Sequence, residues 1–161
     1  MSAAAEELYS LLVPLSEDRL IVPRACVAEV VRLSRPEHVS GAPEWLVGDL
    51  DWSGRAVPAV SFEAMLGRSM PETTGRTRVV VFHAANPELR GGYFGLLTQG
   101  FPQLVRVNRD VLKVDSAVSY DHDDPVVTRV RMINEYPLVP DLEVIEEKIV
   151  SMQKQLAAGS L

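Results

Sequence analysis

Short apolar runs, rich in Val and Leu and closed by turn residues, recur along the chain: Leu8 to Leu15, Arg19 to Val22, Ala56 to Val60, Arg78 to His83, Tyr93 to Thr98, Val126 to Asn134 and Pro137 to Val139. Runs this short with this composition predict strands rather than helices. Ser16-Glu17-Asp18 separates the first two and AANPELRGG the fourth from the fifth, so two hairpins are expected, with Gly91 and Gly92 as turn residues. The segment 67–76, GRSMPETTGR, is poor in apolar residues and reads as a loop between two lobes. One stretch changes period: Leu142, Ile145, Ile149, Met152 and Leu156 recur at spacings of three and four behind Asp141, which predicts a capped amphipathic helix over 141–158. Its stripe is short for a free-standing coiled coil and is expected to pack on its own domain, the alternative being self-association through that stripe. Many short strands with one long helix predict an all-β sandwich or barrel.

Composition narrows the class. With 161 residues, 47 % of them hydrophobic, the chain is long enough for one domain with a core of its own, spanning 1–161. Sixteen Lys plus Arg against 22 Asp plus Glu give a net charge of -6, which disfavours nucleic acid and anionic lipid as partners and points to protein. MSAAAEELYS has no basic region ahead of an apolar segment, and no run of about 18 apolar residues follows, so neither signal peptide nor membrane insertion is expected and the location is read as cytoplasmic. The single cysteine, Cys26, agrees with a reducing compartment and is read as a small apolar side chain.

Candidate chemistry is thin. His38, His83 and His122 lack metal-like partners at helical or hairpin spacing, and YDHDDP, 120–125, offers aspartates without the glycine and distal glutamate of a calcium loop. Ser53 has no partner placed to activate it. No catalytic residue, cofactor or metal is expected, and the chain is read as not an enzyme. The rival class is a small-ligand or metal-responsive sensor or enzyme using the acidic loop around His122.

Three longer stretches carry a resemblance. LLVPLSEDRLIVPRACVAEVVR, 11–32, APEWLVGDLDWSGRAVPAVSFEAMLG, 42–67, and VVVFHAANPELRGGYFGLLTQGFPQLVRVNRDVL, 79–112, resemble in order the CheW family of bacterial chemosensory adaptors. Val27, Glu29 and Val30 stand at matching positions in the first; Pro43, Trp45, Gly48, Gly54, Pro58 and Leu66-Gly67 in the second; Gly95, Leu96, Leu97 and Val105 in the third. The family's Asn-Leu-Arg-Gly becomes Asp51-Trp52-Ser53-Gly54, an acidic residue becomes Ser61 and a later Asp becomes Gln99, marks of a divergent member.

The resemblance implies two intertwined five-stranded SH3-like barrels with a C-terminal helix, in approximate lobes 19–66 and 77–140, with the lobe of strand 8–15 open. It implies an adaptor, monomeric in isolation, coupling the cytoplasmic tip of a methyl-accepting chemoreceptor to the regulatory domain of a CheA-type histidine kinase. The altered motif leaves room for a paralogue serving pili and twitching motility. The residues expected to meet a receptor or other partner are Val27, Glu29, Gly48, Asp51, Trp52, Ser53, Gly54, Arg55 and Gly95. Glu29 is an isolated carboxylate on an apolar segment, suited to a charged contact. Trp45 is expected in the core, whereas core and interface both stand open for Trp52. Strand alternation would put Arg55 on the face of Ser53, where it could replace the missing arginine. Gly48 and Gly54 are expected to bracket a bend, and Pro58 to mark an edge strand or a bulge.

Overall fold

The computed structural model describes residues 7–159. Eleven strands build two sheets: β1 (Leu8–Pro14), β2 (Arg19–Pro23), β3 (Val27–Arg32), β4 (Leu46–Trp52), β5 (Arg55–Val60), β6 (Arg78–His83), β7 (Tyr93–Thr98), β8 (Gln103–Val107), β9 (Lys113–Val114), β10 (Val126–Arg131) and β11 (Leu138–Pro140). A short helix, α1 (Phe62–Met65), follows β5, and α2 (Leu142–Gly159) closes the described chain. The strand order is β8-β1-β2-β11-β10-β9 in one sheet and β3-β6-β7-β5-β4 in the other. Both expected hairpins form, β1 with β2 and β6 with β7, each antiparallel.

The two sheets exchange the chain twice. After β2, a single turn of 3-10 helix, Arg24–Cys26, leads into the five-stranded sheet, and after β7 the chain returns to pair β8 with β1. At that return Thr98 Oγ1 and the Gln99 backbone N–H both donate to the Pro14 carbonyl, at 2.8 and 2.9 Å. Sheet membership therefore does not follow the lobes 19–66 and 77–140. Segment 67–76 is irregular as expected, but it joins strands of one sheet, because turn composition reports a break in local pairing and not which strands pair across it.

Three apolar clusters hold the fold. Leu50, Val57, Val79, Val81 and Leu97 fill the five-stranded unit, and Leu12, Ile21, Val107 and Val130 fill the six-stranded one. The largest lies between the sheets and under α2, joining Val13, Leu20, Val60, Phe82, Phe94, Ile145 and Ile149. The α2 stripe thus packs on its own domain: Ile145, Ile149 and Met152 are buried, with Leu142 and Leu156 beside them. Asp141 caps α2 as expected, its Oδ1 accepting from the Val144 N–H at 3.1 Å.

Other expectations are revised. The run Val126 to Asn134 stops being strand at Arg131, because Met132 and Glu135 bridge to form a turn, and the last strand runs Leu138–Pro140 rather than from Pro137. Pro58 is not on an edge: β5 lies between β4 and β7, and the irregularity sits on the neighbouring strand β4, between Leu46 and Gly48. The parallel ladder to β7 begins at Ala59, one residue past Pro58, so the missing N–H interrupts no observed pair of that ladder.

Candidate partner-binding site

The opening of the five-stranded unit is built from strand ends that meet only in the fold. The two edge strands converge there: Trp52, last residue of β4, donates its indole N–H to Glu29 Oε2 of β3 at 2.6 Å. Across the β4–β5 hairpin Trp52 faces Arg55, and at the end of the β6–β7 hairpin His83 faces Tyr93. The Tyr93 ring lies 4.8 Å from that of Trp52, edge-on at 61°. His83 lies 5.4 Å from Tyr93, and the Arg55 guanidinium stands 5.3 Å over the Tyr93 ring. Such edge-to-face and cation–π geometries fix ring orientation as well as adding contact energy. Trp52 and Tyr93 are half-buried over Leu50, Val57 and Val81, while Glu29, Arg55 and His83 are exposed. The result is an aromatic lid on an apolar core, with the Glu29 carboxylate and the Arg55 guanidinium exposed at its rim.

The hairpin beside it is a two-residue turn. Ser53 has φ 51° and Gly54 φ 79°, the positive pair typical of a type I′ turn, whose twist suits two antiparallel strands. Asp51 Oδ1 accepts from the Gly54 N–H at 3.1 Å and closes it. Asp51, Ser53 and Gly54 are thus exposed at the lid's border. Strand alternation does not relate Ser53 to Arg55, because Ser53 is in the left-handed region rather than extended; Arg55 instead covers Tyr93.

The remaining expected site residues sit at packed positions of the sheet. Gly48 lies within β4 rather than at the bend; it is buried, with φ 145°, and a Cβ there would lie 2.5 Å from the Glu37 carbonyl oxygen. Gly95 is buried in β7, where a Cβ would come within 2.4 Å of Val79 Cγ1. Val27 pairs with Phe82 and packs, partly buried, against the inter-sheet core. Trp45 also packs partly buried against that core.

Next to the turn is a concavity of about 540 Å³ lined by Ser34, Arg35, Glu37, Asp49, Asp51 and Arg55, among others. Burial and the nearby Glu37 carboxylate hold the Asp49 carboxyl above its ordinary range, against the opposing pull of Arg90. In the acidic loop, Asp124 Oδ2 accepts from the Asp121 N–H at 3.0 Å. Among the described residues no cluster of three or more His, Cys, Asp or Glu side chains is arranged to hold a metal ion, and no helix is long and apolar enough to cross a membrane.

Tyr93 is absent from the expected site residues, and His83 is weighed there only as a metal ligand. Their strands are legible, and so is the hairpin that pairs them, but the approach of that hairpin's end to Trp52 depends on sheet closure, which leaves no local periodicity.

The CheW-like domain family model matches residues 10–147. Among solved structures, the chain is similar to the scaffolding protein TtCheW from Thermoanaerobacter tengcongensis, with a TM-score of 0.70 at 14 % identity over 84 % of this chain and 89 % of that one. No curated protein sequence matches it.

Proposed function

The chain belongs to the CheW-like domain family, and from that premise we propose that it is a non-enzymatic chemosensory adaptor, using the lid around Trp52 to bind the cytoplasmic tip of a methyl-accepting chemoreceptor. A second surface would take the regulatory domain of a CheA-type histidine kinase in the cytoplasm. The observation that carries this reading is the joining of Glu29, Trp52 and Arg55 into one contact system with Tyr93. All three are among the residues the sequence reading expects at a partner contact, and an aromatic patch rimmed by both charge signs suits a polar helical surface. Holding each partner beside the other raises its effective concentration, so the adaptor works by geometry and the kinase keeps the chemistry.

Ser53 at the position of the family's arginine supports partner choice that differs from the common pattern. A receptor of an alternative chemosensory pathway, such as one governing pili and twitching motility, is the kind of partner such a change would serve. Beside Ser53, the Trp52 indole N–H engages Glu29.

Calorimetric titration of the full chain against chemoreceptor cytoplasmic fragments, from flagellar and pilus pathways, and separately against the kinase regulatory domain tests the proposal. Trp52→Ala is expected to weaken receptor binding by about 2 kcal/mol, roughly 30-fold in Kd, as for a central aromatic anchor. Glu29→Gln is expected to weaken it less, and neither variant to alter kinase binding. Undiminished receptor affinity in a folded Trp52→Ala variant would contradict the assignment of the site.

A further inference from the structure

Resting on the lid as the partner-binding site, we infer that Glu146 of α2 is a positioning residue for it, acting through the loop 84–92 between β6 and β7. Glu146 is only 4 % exposed, one of few charged side chains so deeply buried among the described residues. A carboxylate in such surroundings is costly unless hydrogen-bonded. Its Oε1 accepts from the Ala85 backbone N–H at 2.6 Å, two residues beyond His83. The same helix reaches the loop twice more: Gln153 Oε1 accepts from the Arg90 N–H at 2.9 Å, and Lys154 Nζ donates to Glu88 Oε2 at 3.2 Å. Between these points Leu89, 3 % exposed, inserts into the inter-sheet core with Ile149 and Val150.

The loop transmits this hold to the lid. The Ala84 N–H donates to the Gly92 carbonyl at 2.9 Å, which extends the β6–β7 pairing one step past His83 and Tyr93. Where α2 fixes Ala85 and Arg90, it therefore fixes the two strand ends that carry His83 and Tyr93, and Tyr93 in turn orients Trp52 and Arg55. A leucine at 146 would fill the space without the acceptor, stranding the Ala85 N–H. The helix is thus coupled to the binding surface, and whatever displaces α2 loosens the lid.

The test compares Glu146→Leu with Glu146→Gln, which keeps an acceptor oxygen. In the free chain, Glu146→Leu should speed hydrogen exchange at the Ala85 amide and shift the Trp52 indole N–H resonance, and Glu146→Gln should restore both. Receptor affinity should fall roughly 3- to 30-fold in Glu146→Leu and return in Glu146→Gln. Should Glu146→Leu not fold, the paired Gln153→Ala and Lys154→Ala replacements, on the outer side of the contact, take its place, with exchange read at Arg90. An unmoved Trp52 indole resonance in the folded variant overturns the inference. Because that resonance and the exchange rates need no partner, they decide the role of Glu146 even where the wild-type chain binds no receptor.

Discussion

Asp49 illustrates how a single carboxyl records its place in the fold. Burial first, and the neighbouring Glu37 second, raise its pKa, so folding disfavours its ionised form. The sign follows by linkage: relative to the charged state, protonated Asp49 stabilises the fold at pH below the ordinary aspartate value, and that contribution is lost as pH rises through the raised folded value. Asp49→Asn, which stays neutral, is expected to melt higher than the wild type at pH 7, with the advantage disappearing in acid below the ordinary aspartate range. A melting difference that is the same at both pH values would contradict this. Residue chemistry of this kind was partly legible beforehand. Glu29 stood out as a carboxylate among valines, and Trp52 was open to either role. Their mutual hydrogen bond was not legible, because 23 residues and a sheet closure separate them.

Among the elements, β6, β7 and α2 followed from sequence because each has an uninterrupted period: RVVVFH and YFGLLT are apolar runs of strand length, and the α2 stripe repeats at helical spacing. Strand β4, by contrast, reads LVGDLDW, where Gly48 and two aspartates conceal a strand behind the look of a polar bend. The physical reason is the irregular pairing between Leu46 and Gly48, which lets Gly48 turn its backbone against Glu37, where the Asp49 N–H also donates to the Glu37 carbonyl at 3.0 Å. Gly48→Ala is expected to cost about 1–3 kcal/mol, from left-handed backbone strain and the approach to the Glu37 oxygen. A chemical denaturation midpoint equal to that of the wild type would show that β4 tolerates a side chain there.

At the scale of the whole molecule, the all-β class follows from the strand pattern and the intertwined CheW-like fold from the order of motifs, whereas which strands pair in each sheet does not follow from either. Turn signals mark where strands end; they are silent on which strands pair, and the parallel contacts of β2 with β11 and of β5 with β7 join segments far apart in the chain. The inter-sheet core ties both units and α2 into a common frame, and the proposed adaptor role would use such a frame to hold two partners at fixed separation. The central claim is that the chain joins two partners. It is tested most directly by sedimentation velocity on a mixture of chemoreceptor fragment, kinase regulatory domain and this protein. The account predicts a ternary species containing all three, dependent on this chain and reduced by Trp52→Ala; binary complexes that exclude one another, or no complex at all, would contradict it.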